Sequence, residues 1–231
     1  MRTTKTLIIP AAGEGSRMQK ETPKPYLTLS GKTILEHTIR QFVSLDGLQQ
    51  VLVATSEEYL ETAAEILDQV VPDTMMSDCL VGGKKRQDSI YNALQKVAEV
   101  DLVLVHDAVR PFVRPGHIEQ CCSEAADIGG AVLGVPAKDT IKRINQQRII
   151  QETPSRRFLW QTQTPQVFRK ELIIQAYEQA IDDGFTGTDD SSLVERLGHP
   201  VRMVEGEQSN FKITYPLDLE LAELIIQKQQ R

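Results

Sequence analysis

The chemistry this chain could do is concentrated in three short segments. Pro10-Ala11-Ala12-Gly13-Glu14-Gly15-Ser16-Arg17-Met18 follows a β-branched run and is small enough for its backbone to approach a ligand and offer N–H groups to phosphate oxygens. Lys24, in Thr22-Pro23-Lys24-Pro25, would add a positive charge beside that loop. Neither common phosphate motif fits. The dinucleotide fingerprint would put a third glycine at Met18, and the Walker loop needs Gly-Lys-Ser/Thr at another spacing. The second segment, Gly82-Gly83-Lys84-Lys85-Arg86-Gln87-Asp88-Ser89, is a double-glycine turn entering a helix. It could hold a base edge through backbone groups and Ser89, or be a capped helix start with a solvated basic turn. The third, Val105-His106-Asp107-Ala108-Val109-Arg110-Pro111, lies at the carboxyl end of a predicted strand, the edge where open α/β sheets bind ligands. Asp107 there could hold a magnesium ion or ribose hydroxyls, and Arg110 could hold phosphate or pair with Asp107.

Asp139-Thr140, Arg156-Arg157, Thr164-Pro165-Gln166 and Asn210-Phe211-Lys212-Ile213-Thr214 add polar residues beside apolar runs. Taken singly, each has the character of surface or turn chemistry. The four histidines, at 37, 106, 117 and 199, lack metal-ligand spacing, and His37 fits a half-buried structural position on a helix. No Ser/His/Asp nucleophile arrangement is legible from residue order.

The elements that must position these residues follow from periodicity. Short β-branched runs alternate with segments of helical period, which predicts a parallel sheet covered by helices on both faces, the α/β class. Strands are predicted at Thr6 to Ile9, Gln50 to Thr55, Asp101 to Val105, Gly130 to Val135 and Val201 to Glu205. Leu35, Thr38, Ile39 and Phe42 share a helical face, as do Ile90, Leu94 and Val97, and Leu172, Ile173, Ala176 and Ala180. Pro216 suits the first turn of a closing helix whose Leu219, Ala222 and Ile225 can face the sheet. The stretch from Ala137 to Arg157 differs from its surroundings: two extended arms, Thr140 to Ile144 and Arg148 to Thr153, flank an Asn145-Gln146-Gln147 turn. Because an isolated hairpin is marginal in water, this one is expected to pack on something, with a second subunit a natural candidate.

Composition sets the bounds. With 231 residues, 40% of them hydrophobic, the chain can bury a core as one large domain over residues 1–231. A net charge of -6 argues against a protein whose main affinity is for a nucleic-acid polymer, while leaving room for a local basic pocket. Three cysteines without CxxC spacing suggest neither a disulfide framework nor a zinc knuckle and fit a reducing cytoplasm. The N-terminal apolar run is too short for a signal peptide, and no stretch approaches the roughly 20 apolar residues of a membrane span.

Read in order, IPAAGEGSRM, TPKPYL, VGGKKRQDSI, LVHDAVRPFV, VPAKDTIKRI, LWQTQTPQVF, GTDDSSLVE and FKIT resemble the motif series of the 2-C-methyl-D-erythritol 4-phosphate cytidylyltransferases, from about Ile8 to about Glu223. The resemblance implies a Rossmann-like nucleotidyltransferase sheet, a homodimer built with 137–157 as a dimerisation arm, CTP as substrate and a divalent metal, usually Mg2+. It implies Ala11, Ala12 and Gly13 along the nucleotide, Gly82, Gly83 and Ser89 around cytosine, and Arg17 and Lys24 at the triphosphate as the catalytic cations. Asp107 matches the acidic residue beside metal or substrate, and Arg110 follows it in the same motif. Thr140, Arg156, Thr164 and Lys212 match positions around the methylerythritol phosphate, with Thr140 and Arg156 on an arm reaching the neighbouring subunit. Arg156 keeps the spacing to Leu159-Trp160; Arg157 is the alternative. Many relatives have an acidic residue where this chain has Lys84 and Lys85, so any acidic side-chain contact there is lost and backbone contacts must serve.

The reaction so implied is an in-line attack of the methylerythritol phosphate on the α-phosphorus of CTP, with pyrophosphate leaving. Two other readings are a ribitol-5-phosphate cytidylyltransferase, which shares the nucleotide half, and a CTP-binding protein without catalysis. Lys138-Asp139-Thr140-Ile141-Lys142-Arg143 resembles the methylerythritol enzymes more than the ribitol ones, and Arg17, Lys24 and Asp107 together speak for catalysis. A fusion with the downstream cyclase of the pathway finds no room in 231 residues.

Overall fold

A computed structural model describes residues 2–13 and 22–229. Strand β1 (Lys5–Pro10) opens the chain, and a small ribbon, β2 (Thr28–Leu29) and β3 (Lys32–Thr33), leads into helix α1 (Ile34–Arg40). The Thr33 hydroxyl caps α1 by accepting the Glu36 N–H at 3.1 Å. Then come β4 (Leu48–Thr55), α2 (Leu60–Val70), β5 (Met76–Val81), α3 (Arg86–Leu94), β6 (Leu102–Val105), α4 (Pro115–Ile128) and β7 (Gly130–Pro136). Helix α4 starts on a proline, whose missing N–H costs nothing there, and stops at Gly129, whose φ of 105° a side chain would resist. The hairpin β8 (Arg143–Ile144) and β9 (Ile150–Glu152) precedes β10 (Trp160–Arg169), α5 (Lys170–Asp182), α6 (Asp190–Arg196), β11 (Arg202–Glu205) and α7 (Pro216–Gln229).

The main sheet has seven strands in the order β11-β7-β10-β6-β1-β4-β5. All five predicted strands are present. The expected parallel sheet is instead mixed, because β10 runs antiparallel to both β6 and β7. This strand and the edge strand β5 were not predicted. β10 is rich in Gln and Thr, yet Gln163, Thr164 and Gln166 are buried, each with a distant hydrogen-bond partner that no local pattern announces.

Alternation along the central strands sends Leu7, Ile9, Val51 and Val53 to one face, where α1, α2 and α4 pack. Ile8, Leu52, Ala54, Val103 and Val105 go to the other, beneath α3, α5 and α6. Burial on both faces is the signature of central strands in an α/β sheet. The predicted helical faces lie in these cores, with Phe42 and Val97 just beyond the ends of α1 and α3. Pro216 does begin α7, but Ala222 and Ile226 pack with Leu27, Leu29, Ile34, Val109 and Phe112 in a third cluster rather than on the sheet.

The hairpin forms where expected, with shorter strands. Asn145 Oδ1 closes its turn by accepting the N–H groups of Gln147 and Ile149 at 3.0 and 2.9 Å. Ile141, Ile144, Ile149 and Ile150 are all exposed along it. Among the described residues no helix is long and apolar enough to cross a membrane.

Candidate active site

Three loops at one edge of the sheet build a cavity of about 230 Å³: the residues after β1, the turn after β5 and the segment after β6. Ala11, Ala12, Gly13, Lys24, Gly83, Ser89, Asp107 and Lys212 line it, so eight residues from distant motifs converge there. The loops are held close. Ala11 N–H donates to Ala54 O at 2.7 Å and Gly82 N–H to Thr55 O at 2.7 Å, which brings the first two loops together across β4. A methyl group on Gly82 would sit 2.5 Å from Ala12 Cβ, and one on Gly83 would sit 2.2 Å from Asp88 Cβ. Both glycines are therefore demanded by close approach. Ser89 Oγ accepts the Gly83 N–H at 3.0 Å and donates to Lys85 O at 3.1 Å, so its hydroxyl closes the turn as well as facing the cavity. Lys85 and Lys84 line the wall with them.

Lys24 is buried against the chain end, with Nζ donating to Thr214 O at 2.7 Å. Lys212 reaches in from the same C-terminal segment. Arg17 lies outside the described residues.

A second cavity, of about 300 Å³, adjoins the first and shares Arg86, Asp107 and Lys212 with it; Arg110, Thr164, Gln166 and Thr188 also line it. Asp107 stands at the junction with three cations on one carboxylate. Arg86 Nε is 3.4 Å from Oδ1, while Arg110 Nε and Lys212 Nζ are 3.1 and 3.2 Å from Oδ2. Burial alone would raise the Asp107 pKa; Lys212, Arg86 and Arg110 more than reverse that and hold it well below the usual carboxylate range. Arg110 is thus an ion-pair partner of Asp107, and it also donates to Asn210 O at 2.8 Å.

Beneath the junction lies a buried relay. His106 Nε2 faces Arg110 O at 3.0 Å and Nδ1 faces the Thr164 hydroxyl at 3.0 Å, while that hydroxyl accepts the Asp107 N–H at 3.0 Å. The neutral tautomer with its proton on Nε2 satisfies all three contacts. Burial pushes the His106 pKa down to about 4, so the ring is neutral at physiological pH. The Thr164 hydroxyl is committed on both sides to the protein. Thr164 thus ties Asp107 to His106 while lining the second cavity, where the sequence reading expected it.

Thr140 and Arg156 are exposed on or beside the arm and line neither cavity; Arg156 donates to Lys138 O at 2.7 Å. Arg157 instead packs its guanidinium over Phe158 at 5.4 Å. Sequence reasoning included Arg86, Gln166, Thr188 and Asp190 in its segments but gave none of them a role. Asp190 is fully buried and bound by Arg86 from 104 residues away, and nothing near it in the sequence signals that partner.

Comparison with known proteins agrees over nearly the whole chain. The sequence model of the family described as IspD, 2-C-methyl-D-erythritol 4-phosphate cytidylyltransferase, matches residues 6–228. A protein of that name from Caldanaerobacter subterraneus subsp. tengcongensis is 41% identical over 96% of this chain and 98% of its own. Another from Bacillus velezensis is 42% identical over 96% of each. Among solved structures, 4-diphosphocytidyl-2C-methyl-D-erythritol synthase from Anaerococcus prevotii superposes with a TM-score of 0.87 at 29% identity, covering 97% of this chain and 96% of that one. The 2-C-methyl-D-erythritol 4-phosphate cytidylyltransferase of Thermus thermophilus gives 0.79 at 34% identity, covering 98% and 100%.

Proposed function

The chain belongs to the 2-C-methyl-D-erythritol 4-phosphate cytidylyltransferase family, and from that premise we propose that the paired cavities are where it transfers CMP from CTP to 2-C-methyl-D-erythritol 4-phosphate. The enzyme is a nucleotidyltransferase of isoprenoid precursor synthesis, and pyrophosphate is its second product. The observation that carries the assignment of the site is the convergence of the β1 loop, the Gly82-Gly83 turn, Lys24, Lys212 and Asp107 on adjoining cavities.

In this reading CTP occupies the first cavity, with cytosine against the backbone of the Gly82-Gly83 turn and Ser89, and the ribose beside Ala11 to Gly13. Backbone groups there can accept from the amino group of cytosine, and a uracil ring would leave such an acceptor unpaired. The triphosphate lies toward Lys24, Lys212 and Arg17, and the methylerythritol phosphate enters the second cavity against Arg110 and Lys212. The attacking phosphate oxygen is already anionic, so no general base is needed. What the residues must do is hold two mutually repelling anions in line and neutralise the charge growing between them.

A divalent cation belongs to the same proposal. Asp107 is the one carboxylate among the described residues lining the first cavity, and both its oxygens already face cations. The donor set fits an ion carried in by the triphosphate, with Asp107 as its single protein carboxylate, better than a metal centre built by the protein. Such an ion would supply further charge neutralisation at the phosphates.

The arm belongs to a homodimer in this reading. Its exposed isoleucines need cover, and Thr140 and Arg156, too far from the cavities of their own chain to line them, would complete the acceptor cavity of a partner.

Pyrophosphate release with CTP, magnesium and either methylerythritol 4-phosphate or ribitol 5-phosphate tests the assignment against a control without acceptor. Release with methylerythritol phosphate alone is expected. Release with ribitol phosphate alone would discard the acceptor assignment, and CTP binding with no release would discard catalysis.

A further inference from the structure

Arg86 lines both cavities, yet most of its hydrogen bonding points away from them. Its two terminal nitrogens grip Asp190 as a fork, NH1 to Oδ1 at 3.0 Å and NH2 to Oδ2 at 2.9 Å. Asp190 is fully buried at the first turn of α6 and also accepts the hydroxyl of Tyr177, itself buried on α5. Neither Asp190 nor Tyr177 lines a cavity. The loop before Asp190 is further pinned to the start of α3, with Gly187 N–H donating to Gln87 Oε1 at 3.0 Å and Gln87 Nε2 donating to Phe185 O at 3.1 Å.

An ion pair with a fully buried aspartate and a part-exposed arginine is a poor way to fasten one helix to another, because desolvating the carboxylate offsets much of the attraction and apolar side chains of similar volume often do as well. This pair has something an apolar contact lacks. With both terminal nitrogens fixed, the third nitrogen of the guanidinium is held 3.4 Å from Asp107 Oδ1, an ion-pair contact on the wall between the cavities. The guanidinium is planar, so two fixed corners fix the third. Arg110 and Lys212 both approach the opposite oxygen, Oδ2. Arg86 is the only one of the three cations nearest Oδ1, and so the one placed to bias the rotation of the carboxylate.

We propose that Arg86 is a positioning residue for the transfer: Tyr177 and Asp190 hold its guanidinium rigidly enough to set the orientation of the Asp107 carboxylate at the junction of the two cavities. The inference rests on the assignment of the site above and deepens it, extending the machinery to two residues that no substrate can touch. Misorientation of Asp107 acts on the reacting arrangement more than on the affinity of either substrate, so the effect falls on kcat.

The test separates this from a structural role by replacing the pair with apolar residues. The double variant Arg86→Met/Asp190→Leu removes both charges together and is expected to fold, with its melting temperature lowered only by the Tyr177 hydroxyl it leaves unpaired. Its kcat should fall about thirtyfold, with KM for CTP and for the acceptor each changed by less than about threefold. A merely structural pair would leave the kcat of the folded double variant within about twofold of the parent, and that result would overturn the inference. Tyr177→Phe, which deletes one hydroxyl remote from the cavities, is the second measurement should the double variant fail to fold. A drop in kcat of about threefold at unchanged KM supports the inference, and an unchanged kcat overturns it. Asp107→Asn, assayed alongside, keeps the two levels apart. If it retains parental turnover, the assignment of the site itself fails; if it is inactive while the folded double variant is not impaired, only the role of Arg86 fails.

Discussion

The cavity we assign to the nucleotide and the one we assign to the acceptor are built in different ways. The first is assembled within one chain from loops held by short backbone contacts, and a methyl group on either glycine of its turn would collide with a neighbour. The second is walled by side chains, and the arm residues assigned to it in the proposal do not line it within their own chain. In our proposal recognition of a flat base rests on backbone that leaves little freedom, whereas a flexible polyol phosphate is left to charged side chains and a second subunit.

The strongest break in that contrast is at the residue both cavities share. Lys212→Ala should lower kcat/KM about a hundredfold, close to 3 kcal/mol, through loss of a charge-assisted contact to the transferring phosphates. Steady-state kinetics checks this, and because the side chain is exposed on one side the fold should survive. Near-parental turnover would remove Lys212 from both halves.

Acid should undo the two halves together, since His106 ties Thr164 to Arg110 beneath them. The folded pKa, about 4, lies below the ordinary 6.5, so the unfolded chain takes up the proton first. This contribution is intact above pH 6.5 and is lost as pH falls toward 4; by pH 5 the loss is about 2 kcal/mol. Urea unfolding at several pH values reads the slope, which should flatten over this window in His106→Gln.

Gly83→Ala sharpens the contrast by touching one cavity alone. The added methyl must displace Asp88, and KM for CTP should rise about tenfold, about 1.4 kcal/mol, while KM for the acceptor stays put. Parallel rises in both constants would show that the halves are not separable.

The gentlest test addresses the arm. Mixing equal amounts of Arg156→Ala and Lys212→Ala chains, each nearly inactive alone, should restore activity at about a quarter of the sites if each arm serves its neighbour, since half the dimers are mixed and each then holds one intact site. No recovery in a mixture shown to exchange subunits would place Arg156 in its own chain's site.

Legibility in the sequence followed the range of the interactions. The five predicted strands and the faces of α1, α3 and α5 depend on local periodicity and are where the pattern put them, while the face of α7 meets the third cluster instead of the sheet. The hairpin was legible because its turn chemistry is local to Asn145. β10 was not, because Gln163 and Gln166 are buried only by virtue of Glu207, Asn210 and Ser191, which lie far along the chain. Missing that strand is also why the sheet was expected to be parallel. In the site, small residues and glycines announced the nucleotide loops by type. Arg86 looked like part of a solvated basic turn, since its partner Asp190 becomes visible only when α3 and α6 lie side by side.

The third hydrophobic cluster bears on how the protein is made. Helix α7 covers Leu27, Leu29 and Ile34, its Glu223 accepts both the N–H and the hydroxyl of Ser30, and the segment just before it carries Lys212 and the carbonyl that anchors Lys24. Strands and helices emerging from the ribosome can build most of the sheet and still lack both of these lysine arrangements. A chain released at Phe211 would hold every strand of the sheet and lack both Lys212 and the Thr214 carbonyl, a scaffold without the cation arrangement on which the proposed nucleotide site depends.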